Sequence, residues 1–533
     1  MGKDNVIRLI AKGVLLFFVL IFLIYPIALV FASAINPAVL EKAFSIIISR
    51  QNLLYSSFLQ AAVSTVFSVI IGLPAAYILA RRQFRGKKVV RAVSLIPFVF
   101  PSVLVVLSFV IIFGNNGWIN SALRILGIGG PVQFLYGFWG VILAHVFYNF
   151  PLVTRFVADA WSGLDSSMEE AAKSLGARKI GLFFKITLPQ LVPSILASAT
   201  LVFIYCFMSF AIVLSLGGLQ VSTFEVEIFQ QISRNLDIGT GAVLALFQFL
   251  LLTILASTYL FFTRSPIQKR SASLPPRPFK LGTVRGKIEL AFLCIILLFI
   301  LLPVLSLVIF SFFDTKTWAF SLRAFEKIFL SGSSLSGATA ISAIFYSLLL
   351  ALIGSVIATV MGLFAALRQT KIPFIGLLAS ATIAISVITL GFGFLLGFGS
   401  GNLIIIAIGH SVLAFPFAYR AISNSLAKID SDSIDAAATL GAGQIETFKR
   451  VQFPRIRQSL LVSLAFCFAV SLGELGLVLL LYDGIYPTMP VYIYRLISVF
   501  DIGAATAMGL ILFTVSFLSF YAIEHFANGE EVF

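Results

Sequence analysis

Runs of about 20 consecutive apolar residues recur along the whole of this 533-residue chain, each long enough for a helix to cross a hydrocarbon layer about 30 Å thick. The spacing predicts twelve such segments, over 13–35, 53–80, 89–113, 136–158, 194–217, 240–263, 288–313, 338–367, 374–398, 403–422, 458–482 and 503–526. They are continuous and do not alternate apolar with polar residues, so they read as helices and not as strands of a barrel. With 59% hydrophobic and 11% charged residues, the chain cannot hide them in a soluble core. The expected fold class is an all-α polytopic protein embedded in a lipid bilayer. Cys206, Cys294 and Cys467 lie inside these runs without metal-ligand spacing and read as packing residues. The first run exceeds twenty residues and lacks a clear small-residue cleavage site, which favours a retained helix over a signal peptide.

A formal charge of +15 would suit nucleic acid, but the basic residues flank the apolar runs and form no soluble domain, so no nucleic acid is expected as a partner. Lys and Arg collect in cytoplasmic loops. Arg81, Arg82, Arg85, Lys87, Lys88 and Arg91, and Arg264, Lys269, Arg270, Arg277 and Lys280, therefore mark the inside, as do Lys3, Arg8 and Lys12. An even number of spans then puts both termini in the cytoplasm, with 81–91, 159–193, 264–287 and 423–457 on that side.

The chain is also duplicated. Aligning "AHVFYNFPLVTRF" with "GHSVLAFPFAYRA" sets His145, Pro151 and Arg155 on His410, Pro416 and Arg420, each 265 residues apart (410 − 145). The offset continues without a gap through Asp165 and Asp430, Gly176 and Gly441, Pro189 and Pro454, and Ile232-Ser233 and Ile497-Ser498. Six spans per half put both halves in the membrane the same way round, a parallel repeat. The expected units are a first transmembrane domain over 53–264 preceded by helix 13–35, a polar, proline-bearing cytoplasmic linker over 265–287, and a second domain over 338–526 preceded by helix 288–313.

Two loops carry the most specific pattern. "LDSSMEEAAKSLGARKIGLFFKITLPQL" follows the fourth span and "IDSDSIDAAATLGAGQIETFKRVQFPRI" the tenth. Glu170-Ala171-Ala172, Gly176 and Pro189 match Asp435-Ala436-Ala437, Gly441 and Pro454 at identical spacing. Asp165 and Asp430 are placed to cap a helix that alanines propagate, Gly176 and Gly441 permit a reversal, and a second helix runs to the proline. This pattern resembles the EAA loop of binding-protein-dependent ABC importers. The resemblance implies a permease whose loops dock into two copies of a cytoplasmic ATPase subunit, an external or periplasmic substrate-binding protein, and a bacterial inner membrane. The second copy departs only in carrying Asp435 where the family has Glu.

No G-x-x-x-x-G-K-[ST] occurs, so ATP is expected on the partner ATPase and not on this chain; no cofactor, metal site or catalytic residue is expected. A non-catalytic subunit follows, with an ion-gradient-driven carrier as the reading from another class. Among single residues, Glu474 in "SLGELG" stands in an apolar run, where a carboxylate costs at least about 2.5 kcal/mol. It either attracts a cation on the substrate path or hydrogen-bonds backbone freed at a helix broken by Gly473 and Gly476. His145 and His410 read as hydrogen-bonding between helices or near the cytoplasmic edge. Longer stretches, "FMSFAIVLSLGGLQVSTFEVEIFQQIS" with "LAHVFYNFPLVTR" and "TMPVYIYRLIS", look like the bacterial thiamine importer permeases, which implies thiamine or its phosphate esters as cargo. The fused ferric-iron permeases share the layout and both loops and supply the alternative.

Overall fold

A computed structural model describes residues 12–527 other than 36, 50–52, 129–130, 165, 219–220, 264–276, 280–281, 315–318, 331–338 and 368–384. The first half contains α1 (Lys12–Ser33), α2 (Leu53–Arg81), α3 (Ser102–Phe113), α4 (Phe138–Ser162), α5 (Ser166–Ser174), α6 (Leu188–Phe207), α7 (Ala211–Leu216), α8 (Phe224–Ser233) and α9 (Ile238–Thr263). The second repeats them as α10 (Val284–Phe312), α11 (Ala340–Ala366), α12 (Val387–Phe398), α13 (Leu403–Ala427), α14 (Ser431–Thr439), α15 (Phe453–Leu472), α16 (Gly476–Leu481), α17 (Met489–Ser498) and α18 (Ile502–Ala527). Both ends of α4 to α8 recur at an offset of 265 in α13 to α17, as in 403 − 138 and 498 − 233.

Eleven helical stretches among the described residues, with α3 counted together with Trp118–Ile125, are long and apolar enough to cross a membrane. On α1 and α10 large apolar side chains such as Phe17, Leu20, Ile295 and Leu298 face outward, as a lipid solvent requires. The chain is a multi-span membrane protein, all-α apart from a two-residue parallel pairing of Arg82-Gln83 with Arg277-Pro278 and a bridge between Phe313 and Phe320.

Several expected boundaries are corrected. The span read over 89–113 is broken into Lys87–Val93, Ile96–Val99 and α3, because Pro97 and Pro101 interrupt it. Gly114 to Gly117 then separate α3 from Trp118–Ile125, so α3 is a 12-residue helix like its twin α12. Within the ninth span, 374–384 lies outside the described residues. The fifth and eleventh spans, read as 194–217 and 458–482, occupy Ile180–Phe207 and Gln444–Leu472 and break before α7 and α16. Helix α10 begins at Val284, inside the stretch read as linker. Cys294 is exposed and not a packing residue, whereas Cys206 and Cys467 are buried.

The densest packing lies between α2 and α4 and between their twins α11 and α13. Backbones approach closely there because glycine faces a small residue: a Cβ on Gly72 would stand 2.8 Å from Val153 Cβ, and one on Gly362 would stand 2.7 Å from Ala418 Cβ. Val153 and Ala418 are themselves twins (418 − 153 = 265). Ser57 Oγ accepts the Phe224 N–H at the start of α8 (3.2 Å), and Ser347 Oγ accepts the Met489 N–H at the start of α17 (2.7 Å). Ion pairs Lys42 with Asp237 and Lys327 with Asp501 repeat across the halves, and each aspartate also caps the helix that follows it. The first helix of each half packs on the other half. Phe22 and Tyr25 of α1 meet Phe398 of α12, while Phe299 of α10 meets Phe147 of α4 and Ser108 Oγ of α3 donates to the Pro303 carbonyl (3.1 Å).

Gly72→Leu and Gly362→Leu are expected each to destabilise the fold by about 1–3 kcal/mol through overpacking. Gly13→Leu is the control, having no neighbour within 4 Å of an added Cβ. Thermal unfolding in detergent checks this, and equal midpoints for all three would contradict it.

Candidate functional site

Both loops form a helix, a reversal and a second helix. In the first, α5 carries Glu170 and Ala171 exposed and Ala172 buried, and the chain reverses at Gly176 with φ +82°. In the second, α14 carries Asp435 and Ala436 exposed and Ala437 half-buried, and the reversal falls at Gly441 with φ +80°. Each turn closes with the same pair of bonds: Gly176 N–H to Lys173 O (2.9 Å) and Ala177 N–H to Ala172 O (3.0 Å), Gly441 N–H to Ala438 O and Ala442 N–H to Ala437 O (both 3.0 Å). This is the Schellman arrangement, which needs a left-handed residue and therefore glycine. Asp430 caps α14 by accepting the Asp432 N–H (3.3 Å), while Asp165 lies outside the described residues. Pro189 and Pro454 do not end a helix as expected. Each lies inside one continuous helix, Ile180–Phe207 and Gln444–Leu472, and on both sides a five-residue π-turn ends within two residues of the proline, where the ladder lacks the proline's N–H.

Reading the sequence passed over what each loop presents. Leu175 and Leu440, twins beside the turn glycines, are 88% and 87% exposed. Each loop thus holds a large apolar side chain out at the same place in both repeats. A hydropathy pattern cannot distinguish such a leucine from a core one.

A second region lies where the halves meet. At the break between α15 and α16, Glu474 accepts the Leu477 and Val478 N–H groups (3.1 and 3.3 Å), which caps α16 as the helix-break reading expects. A Cβ on Gly473 would touch Pro101, and one on Gly476 would touch Phe210 and Ile388, so residues from both halves surround this break. Glu225 was not singled out from the sequence. It is 1% exposed; Oε1 accepts from Gln248 Nε2 (2.7 Å) and Oε2 from Ser386 Oγ (3.1 Å), which in turn caps α12 through the Thr389 N–H (3.0 Å). Pro490 occupies the twin position of Glu225, so this acidic contact between the halves is not repeated. The signal was legible in "FEVEIF", two acids within an apolar stretch. His145 and His410 are buried and bond across helices, His145 Nδ1 to Ser64 of α2 (3.1 Å) and His410 Nδ1 to Ser471 of α15.

The family described as binding-protein-dependent transport system inner membrane component matches residues 68–265 and again 358–530. Relatives include the thiamine transport system permease protein ThiP of Salmonella typhimurium, 28% identical over 486 residues covering 88% of this chain and 87% of that protein. That of Escherichia coli is 28% identical over 494 residues with the same coverage. A probable sulfate transport system permease protein of Prototheca wickerhamii is 30% identical over 210 residues, 38% of this chain and 81% of its own length.

Because an added Cβ at Gly176 or Gly441 would meet nothing within 4 Å, any penalty there is backbone strain alone. Gly176→Val and Gly441→Val are expected to cost about 1–2 kcal/mol each for a forced left-handed residue. Amide exchange in α5 and α14 checks this: it should rise in the variants while exchange in α2 and α11 stays unchanged. Unaltered exchange in both loops would contradict it.

Proposed function

The chain belongs to the family of binding-protein-dependent transport system inner membrane components, and from that premise we propose that it is the fused permease of an ATP-driven importer for thiamine or its phosphate esters. The observation that carries the mechanism is the pair of loops with the same turn bonds, the same exposed leucine and an acidic residue at the same position, in register with a duplicated bundle. Two equal contacts suit two copies of one ATPase subunit, which would bind and hydrolyse the ATP. Glu170, Ala171, Ala172, Gly176 and Pro189 form one docking loop, and Asp435, Ala436, Ala437, Gly441 and Pro454 the other. The basic residues flanking the spans support placing these loops and both termini in the cytoplasm of a bacterial inner membrane. A binding protein would deliver the cargo on the opposite face.

The cargo reading is supported by relatives covering 85–88% of the chain whose names specify thiamine transport. Thiamine is cationic and flat, and the break where the halves meet offers a carboxylate, Glu474, two residues before Gly476, which packs against the Phe210 ring. Glu474 is thereby the candidate for the substrate path in addition to its capping of α16. Since the binding protein selects the solute, the path itself needs no tight site.

The chain is reconstituted with its ATPase and binding protein, and uptake of labelled thiamine and of ferric iron is compared. Thiamine uptake requiring ATP is expected, with Glu474→Gln lowering the maximal rate more than the apparent affinity. Iron uptake without thiamine uptake would overturn the cargo, and uptake driven by an ion gradient without the ATPase would overturn the class.

A further inference from the structure

Arg81 ends α2 and Arg82 follows it, and their guanidinium groups reach two different carboxylates. Arg81 Nη2 donates to Glu169 Oε2 of α5 at 3.0 Å, between side chains only 11% and 6% exposed. Glu169 also accepts from Thr187 Oγ1 (3.4 Å), just before α6, and lies 3.7 Å from Lys173 Nζ. So α5, the ends of α2 and the start of α6 converge on one carboxylate.

Arg82 turns to the other half. Its Nε and Nη2 donate to Glu289 Oε2 and Oε1 of α10 at 2.8 and 2.7 Å, the two-pronged geometry that only arginine provides. That hydrogen bond first of all, against the lowering effect of burial, holds the Arg82 guanidinium above its ordinary pKa. Arg285 joins the cluster through Glu289 Oε1 (2.9 Å) and the Tyr77 hydroxyl (2.7 Å). Next to it, Arg82-Gln83 pairs with Arg277-Pro278, and Phe84 meets Phe279 edge-on with ring centroids 5.6 Å apart. The Tyr77 ring contacts Trp161 of α4 (5.4 Å), and Trp161 stacks on Phe183 in the π-turn before α6 (6.1 Å). In the second half, Ile434 stands at the twin position of Glu169 and Gln452 at that of Thr187, so the Glu169 contacts have no charged counterpart there.

We propose that Arg81 and Arg82 are positioning residues forming a crosstie, which carries displacement of the docking helix α5 through the end of α2 into α10 and hence into the second half. The fusion of the halves then does more than tether them: the segment before α10 is clamped beside the first ATPase contact. This inference rests on the reading of α5 as an ATPase contact.

Two links in series fail when either is cut, whereas two independent structural contacts give effects that multiply. The test uses the complete complex of chain, ATPase and binding protein in proteoliposomes, with ATP hydrolysis and labelled thiamine uptake measured per assembled complex. Arg81→Gln and Arg82→Gln are each expected to retain the ATPase and its hydrolysis while uptake falls by at least about fivefold, raising the ATP used per solute. The double variant should be no worse than the worse single one. Should the glutamine variants fail to assemble, Arg81→Lys and Arg82→Lys keep the charge without the guanidinium geometry, two-pronged at Arg82, and the same comparison applies to them. Unchanged ATP use per solute, or losses that multiply in the double variant, would overturn the crosstie. A wild-type complex without ATP-dependent uptake would remove the docking reading and the crosstie together, whereas a working wild type with unaffected variants would remove the crosstie alone.

Discussion

Inside a bilayer no water is available to satisfy backbone N–H and C=O groups, so each span closes its own hydrogen bonds and an interruption calls for other partners, several of them side chains here. The architecture follows from where these interruptions fall. Ser57 and Ser347 accept the first free N–H groups of α8 and α17, Ser386 does so for α12, and Glu474 for α16. Two of these acceptors, Ser386 and Glu474, stand where the halves meet. The breaks that a permease needs for a path between its halves are thus held by polar groups in an otherwise apolar bundle.

Upon this frame the two halves agree in geometry and differ in charge. Helix lengths from α4 to α8, the left-handed glycines of the loops, the π-turns and the ion pairs of Asp237 and Asp501 all recur. The histidine contacts recur with a change of partner: Ser64 of α2 serves His145, whereas Gly354 lies against His410 and a serine on α15 serves it instead. Glu169, Glu225 and Glu474 face Ile434, Pro490 and Ser209 at their twin positions. A duplicated scaffold preserves packing because each half must still fit the other, while single polar contacts are free to diverge wherever an apolar or prolyl residue can fill the same space.

Much of this was legible in the sequence because its signals are local. Apolar runs mark spans, and the 265-residue offset and the loop pattern fix the repeat and the turn glycines. The misread boundaries trace to proline and glycine, whose effect depends on what surrounds them. Pro97 and Pro101 break the third span, yet the helices Ile180–Phe207 and Gln444–Leu472 run on through Pro189 and Pro454 behind a π-turn. Glu474 was noticed because it is alone, and its backbone partners were anticipated from the flanking glycines. The acids at Glu225 and Glu169 are visible in the sequence, but their partners, Ser386 and Arg81, lie 161 and 88 residues away in the chain and only the fold brings them together.

The central claim is that one chain supplies two equivalent docking helices and so replaces a dimer of separate permeases. Native mass spectrometry of the complex purified in detergent measures this directly, through subunit stoichiometry. One copy of this chain with two copies of the ATPase subunit is the composition expected. Two copies of the chain per pair of ATPases, or one ATPase per chain, would contradict it.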